Sequence, residues 1–338
     1  STLYGAAGCA NNPALTRLLL ERGAIPNDDT LYLAAFFDDH QCLQLLLSHV
    51  QNIGESQALA APISTGNVEG VRILLEAGVD PGRPVDSDLL GERRGKEAPI
   101  SPVAAAIEFL CRAELIELLL RYGGDPNAPG RDGRSPVQMA ARQGRTEVVE
   151  MLKQSGARDD RTETDDFLSA CMQADRTGAK ELLSRSPELL SRLTDEDHGA
   201  LVTAAGTGNV EAVRLMLAFG FPVNVRAGDD GGTALHAATV CGAVDIVRLL
   251  IEAGADLEAR DATWDSSPLV WATVGSGLPR NDPAVSHYAH PDFVATVRLL
   301  LESGAVTEDV TVGQKPPNAE VAELLRTYGI GASEGEPR

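Results

Sequence analysis

The sequence predicts an all-α solenoid built from helix-turn-helix repeats, and three observations carry that prediction. A phrase, Thr233-Ala-Leu-His236-Ala-Ala238, returns as Ser135-Pro-Val-Gln-Met-Ala-Ala141, Ser101-Pro-Val-Ala-Ala-Ala106 and Ser267-Pro-Leu-Val-Trp271-Ala272. An apolar run such as Val213-Arg-Leu-Met-Leu217 follows each copy, usually with a glycine behind it such as Gly220. The later copies also keep step, starting near residues 165, 199, 233 and 267, which are 34 apart. A unit of that length cannot bury its apolar face alone, so neighbouring units must stack.

Each element of the unit has a local cause. Ser or Thr caps the first helix, and Pro136 or Pro268 occupies its first turn, where the missing N–H does no harm. Small residues such as Ala140-Ala141 and Ala204-Ala205 let adjacent helices approach closely. Gly66, Gly144, Gly208 and Gly242 stop this helix with a residue tolerant of positive φ. The second helix carries its apolar stripe at helical spacing, as in Val247, Leu249, Leu250 and Ile251. Gly78-Val-Asp80, Gly124-Asp-Pro-Asn127 or Gly254-Ala-Asp256 then turns the chain toward the next unit. Units begin near residues 1, 29, 57, 101, 135, 165, 199, 233 and 267, about nine in all, and Asn318 to Gly329 supplies one more helix.

The stretch Gly232-Thr-Ala-Leu-His-Ala-Ala-Thr-Val-Cys-Gly242, running through Ile246-Val-Arg-Leu-Leu-Ile251 to Glu252-Ala-Gly-Ala-Asp256, resembles the ankyrin repeat family. The resemblance is strongest over 57–80, 101–157 and 199–260, and it covers nearly the whole chain. It implies antiparallel helix pairs with hairpin fingers projecting at right angles. It further implies a concave groove of fingers and first helices that binds protein partners. Repeats one to five would fill 1–161, and repeats six to nine with the closing half-repeat 162–329. A disordered tail would occupy 330–338. The segment Asp261 to Ala272 is similar to a variant found in bacterial ankyrin proteins.

Composition narrows the function classes. The chain has 338 residues and a formal net charge of −20. That balance disfavours nucleic acid and anionic membrane, which need a basic surface, and suits either solubility, as a solvated acidic surface, or a basic protein partner steered in by the field. Five cysteines (Cys9, Cys42, Cys111, Cys171 and Cys241) are scattered, with no metal-ligand spacing, as expected of small core fillers in a reducing compartment. No apolar run is long enough to span a membrane, and a cytoplasmic protein is the expectation. The opening Ser1-Thr-Leu-Tyr-Gly-Ala-Ala7 starts inside a repeat, consistent with residues upstream of it.

Nothing declares an enzyme. The chain carries no Gly-Lys-Ser/Thr phosphate loop, no dinucleotide glycine motif and no Gly-x-Ser-x-Gly, and no cofactor is expected. Departures from the repeat carry more information, because insertions fall in loops and often hold function. The overlong finger 82–98 concentrates Arg93 and Arg94 in an acidic protein. The loop 277–292 holds His287 and His290 in a His-x-x-His pattern, with Tyr288 between them and Asp265 on the neighbouring finger. Pro283 and Pro291 bracket that loop and no third ligand is evident, so no metal is assigned. As catalytic residues His287, His290 and Asp265 are the weak candidates, for a small-molecule site on the concave wall roofed by the loop.

The resemblance places partner contacts at finger tips and at the two positions before the glycine that ends the first helix. Those positions hold Phe36, Phe37, Ser64, Thr65, Glu108, Phe109, Arg142, Gln143 and Val240. At the tips stand Arg131, Arg134, Asp229, Asp230 and Trp264. Aromatic and arginine side chains are the usual energetic anchors of an interface. The competing expectation is that irregular repeats bury their aromatics to fill gaps. Trp271, one turn into its helix, is expected in the core.

Overall fold

A computed structural model describes residues 1–50, 52–86, 89, 98–228, 230–278, 290–308, 310 and 317–330. Two compact units emerge, one of residues 1–141 and 145–162, the other of 142–144 and 163–338. In the first unit a π-helical segment, Tyr4–Cys9, pairs with α1 (Pro13–Glu21). The pairs α2 (Asp28–Ala34) with α3 (Gln41–Leu47) and α4 (Ala60–Ser64) with α5 (Val68–Glu76) follow. After them come α6 (Pro102–Glu108) with α7 (Ala113–Arg121) and α8 (Pro136–Arg142) with α9 (Thr146–Gln154), the last residue of α8 falling in the second unit.

The second unit continues with α10 (Glu163–Met172) and α11 (Arg176–Arg185), then two single turns, α12 (Leu189–Arg192) and α13 (Asp195–His198). The pairs α14 (Ala200–Gly206) with α15 (Val210–Ala218) and α16 (Ala234–Val240) with α17 (Val244–Glu252) come next. A last pair, α18 (Pro268–Ser276) with α19 (Phe293–Glu302), is followed by α20 (Ala319–Thr327). The described β-structure is finger structure: β1 (Arg226–Ala227) pairs antiparallel with β2 (Gly232–Thr233), and Val85 bridges Ile100. The fold is the all-α helix-pair stack expected from the repeated phrase.

Each unit has its own core, dominated by alanine, leucine and valine. Ala34, Ala61, Ala105 and Ala140 are fully buried in the first, and Ala204, Ala205, Ala234 and Ala238 in the second. Short side chains let α16 and α18 come so close that a Cβ on Gly275 would stand 2.2 Å from the Val240 carbonyl oxygen. Hydrogen bonds also join the ends of successive inner helices. The Cys111 thiol donates to Ile63 O, Asn209 Nδ2 donates to Met172 O at 2.7 Å, and the Cys241 thiol donates to Gly206 O. The cysteines are all free thiols, and burial pushes Cys111, Cys171 and Cys241 up to about 12. They serve as packing groups rather than nucleophiles.

The inner-helix stops at Gly66, Gly144, Gly208 and Gly242 all take positive φ, from 65° to 74°. In two less regular repeats a side chain does the same work: Leu110 (φ 54°) and Ala174 (φ 55°) sit in the left-handed region. For an L-residue that conformation carries a penalty of roughly 1–2 kcal/mol, partly offset by glycine's larger loss of chain entropy. Ala174→Gly should therefore raise stability by about 0.5–1 kcal/mol in urea unfolding, with the denaturant dependence unchanged.

Candidate partner-binding site

One finger of the second unit lies between α17 and α18, and a buried carboxylate organises it. Asp261, 3% exposed, accepts backbone N–H bonds from Thr263 at 2.8 Å, Trp264 at 2.6 Å and Ser266 at 2.9 Å. It also accepts the indole N–H of Trp271 at 3.0 Å. Burial opposes its charge, but these donors, led by the Trp264 amide, hold its carboxyl below the usual range. The neighbouring finger is tied on as well. Ala262 N donates to Asp230 O at 2.7 Å, and the Arg226 guanidinium donates to the carbonyls of Gly231 and Arg260. Arg260 Nη1 in turn donates to Asp265 O at 3.1 Å.

This framework holds Trp264 out. Its side chain, 50% exposed, stands edge-to-face on Trp271 with ring centroids 5.7 Å apart, and Trp271 meets the His236 ring at 5.2 Å. Trp271 is half-buried and bridges the finger to its inner helix, where the sequence placed it in the core. Asp265 is exposed in the left-handed region (φ 51°), and its backbone carbonyl accepts from Arg260.

His236 explains why fingers and inner helices stay in register. Its Nδ1 accepts the Thr233 backbone N–H at 3.1 Å, so Nε2 carries the proton and donates to Ser266 O at 3.1 Å. The ring is fully buried. In the first unit Gln138 makes the same pair of bonds: its Oε1 accepts Ser135 N–H at 3.0 Å and its Nε2 donates to Asp160 O at 3.2 Å. A side-chain acceptor and donor at fixed separation is the requirement, and imidazole and carboxamide both meet it.

The other expected partner residues divide by surroundings. Arg131 lies against Glu108 at 3.0 Å with its side chain 15% exposed, and Arg134 against Asp132 at 2.5 Å. Arg142 belongs to the second unit, where it grips Asp165 at 2.5 Å and Asp197 at 2.6 Å. Those carboxylates are nearly buried, with side-chain exposures of 2% and 7%, and Asp197 closes a capping box with Thr194. These arginines are thus occupied within their own units. Phe36, Phe37 and Phe109 are half-buried, and Phe36 and Phe109 pack on the first unit's core. Ser64, Thr65, Gln143 and Val240 are half-buried too.

Arg93, Arg94, Asp229, His287 and Tyr288 lie outside the described residues, whereas His290 is described and exposed. Among the described residues no group of three or more His, Cys, Asp or Glu could hold a metal ion. Among the same residues no helix is long and apolar enough to cross a membrane.

A family model described as ankyrin repeats (3 copies) matches residues 3–84 and 167–261, more than half of the chain. The chain belongs to the ankyrin repeat family. A second model, ankyrin repeats (many copies), matches residues 103–152 between those segments. Cyclin-dependent kinase 4 inhibitor B of Bos taurus is 38% identical over 106 residues, covering 31% of this chain and 71% of that protein. The B-cell lymphoma 3 protein homolog of Mus musculus is 30% identical over 160 residues, covering 43% of this chain and 33% of that protein. The chain thus spans about a third of that relative, and still less of a rice zinc finger CCCH domain-containing protein 24 and of mouse Rabankyrin-5. The crystal structure of the human ASB11 ankyrin repeat domain aligns with 69% of this chain and 99% of that one, at 19% identity and a TM-score of 0.28.

Two substitutions test this framework. Burial holds the His236 imidazole below its ordinary value, despite the pull of the Ser266 bond. The unfolded chain takes up a proton near pH 6.5 while the folded chain resists it. His236 therefore contributes stability that is complete above that pH and declines as pH falls below it, by at most about 1.4 kcal/mol per pH unit. His236→Gln should keep the fold and flatten the urea-unfolding free energy between pH 7 and 5. Arg142→Ala leaves two enclosed carboxylates without their cation and should cost about 3 kcal/mol in the same assay.

Proposed function

We propose that this ankyrin repeat chain is a protein-interaction module in which Trp264 anchors a partner carrying a basic segment. The observation that carries the reading is the half-exposed Trp264, held on a tip whose backbone is fixed by the buried Asp261. A large aromatic that is already immobilised loses little further entropy on binding, which is what makes a hot spot. Basic chemistry in the partner is supported by the net charge of −20 and by the exposed Asp265 beside the indole. A lysine or arginine of the partner would find a carboxylate and an aromatic face within one side chain's reach. The cyclin-dependent kinase 4 inhibitor relatives are named for a protein target, and by analogy the partner of this chain is a protein.

The test begins with affinity capture and titration calorimetry of the captured partner. Trp264→Ala should weaken binding by about 30-fold, the equivalent of a hot spot near 2 kcal/mol, and leave the melting temperature unchanged. Raising salt from 50 to 300 mM should also weaken binding, as expected of a charged encounter. Unchanged affinity in Trp264→Ala would sink the reading.

A further inference from the structure

The links that fix the fingers differ in one chemical respect between the two units. Gln138 of the first unit holds its finger through a carboxamide, which neither gains nor loses a proton near neutral pH. His236 of the second unit does so through an imidazole, and its geometry requires the neutral ring. Its Nδ1 accepts the Thr233 N–H and lies 2.9 Å from the Thr233 hydroxyl, while Nε2 donates to Ser266 O. A proton added at Nδ1 would face the Thr233 N–H, donor against donor.

Relief of that opposition also moves the far end of the ring, because the two nitrogens sit at a fixed separation. The far end holds Ser266, and Ser266 anchors the Trp264 tip. Its carbonyl accepts from Asp261 N at 3.1 Å as well as from the imidazole, and its N–H donates to Asp261. Asp261 in turn holds the Trp264 N–H and the Trp271 indole. The imidazole also meets the Trp271 ring, which meets Trp264. One proton therefore acts on the tip by two routes, the Ser266 carbonyl and the ring stack. Burial is the main force against that proton; Asp261 on the following finger favours it, and Arg226 of β1 opposes it. Of the helices packed against α16, α14 and α18 carry no titratable side chain. The charged residues of the other two, Asp245, Arg248 and Glu252 of α17 and Arg298 and Glu302 of α19, are exposed.

We infer that protonation of His236 regulates the Trp264 site: the neutral ring holds the tip in its binding arrangement, and the charged ring releases it. The inference rests on the reading of Trp264 as the partner's anchor. Burial holds the folded ring's titration below its ordinary value, so release falls in acid, below about pH 6.5, and at neutral pH the tip stays fixed. The Gln138 link of the first unit is blind to the same proton. Acid therefore loosens the finger that bears the exposed indole and leaves the other in register.

The chain's two tryptophans, Trp264 and Trp271, both belong to this network, so their fluorescence reads the tip without any partner. Acrylamide quenching of the full chain should rise about twofold between pH 7.5 and 5 as the ring stack opens, with the far-UV circular dichroism spectrum unchanged. His236→Gln, which copies the first unit's link, should show no such transition. Nitrogen-15 NMR of the intact chain should place protonation of the His236 ring at the midpoint of the quenching change. With the captured partner, the Kd of the intact chain should rise by up to about tenfold per pH unit below that midpoint, relative to His236→Gln. Identical quenching profiles for the two chains would overturn the inference. So would a His236 ring that titrates without any change in quenching, or a change that appears only with loss of helix. A quenching transition that follows His236, in a chain whose partner ignores Trp264→Ala, would count against the anchor and leave the proton's action on the finger standing.

Discussion

Finger geometry rests on one recurrent link. A side chain near the start of the inner helix accepts an N–H at its own cap and donates to a carbonyl of the following finger. His236 does this in the second unit and Gln138 in the first, with the same pair of backbone partners. Remove the link and the helices could still stack, because alanine contacts hold them. The finger would lose its register, however, and Asp261 could no longer present Trp264 at a fixed angle. Local stability and the display of a binding surface therefore depend on different residues: the small apolar ones hold the stack, and the polar ones aim the fingers.

Much of this was legible in the sequence because the interactions repeat. The capping Ser135 and Ser267, the glycine stops and the alanine pairs each recur, so one physical explanation serves all copies. Trp264 could be placed on a tip because Gly254-Ala-Asp256 and Ser267-Pro268 fix where that finger begins and ends. What escaped sequence reasoning does not recur. Arg142 reads as a surface contact, yet it meets Asp165 and Asp197, the second of them 55 positions away. Among 49 acidic residues no spacing rule identifies those two. Arg131 likewise reads as a tip residue and is held by Glu108.

The irregular repeats share a common pattern. Leu110 and Ala174 keep the left-handed turn without glycine's freedom, so the stacked neighbours must enforce that turn. Tyr32 and Phe36 bring aromatic bulk to a repeat whose regular counterparts carry alanine-rich helices, and the chain covers part of that bulk with Leu89. In both cases the departure from the phrase is stabilised by tertiary contact. Local propensity is overridden there, which is why the sequence signal is weakest there.

The approach of Gly275 to the Val240 carbonyl has a consequence for how such arrays are rebuilt. Repeats are commonly treated as interchangeable modules that can be shuffled, duplicated or replaced by an averaged unit. At this joint the two helices are matched as a pair, since any side chain larger than hydrogen at position 275 would drive α18 off α16. A replacement for the last helix pair must carry glycine at that position, or the spacing that places Trp271 beneath Trp264 is lost with it. The tolerance of the stack to exchange is therefore uneven along its length, and it is restricted where α18 meets α16.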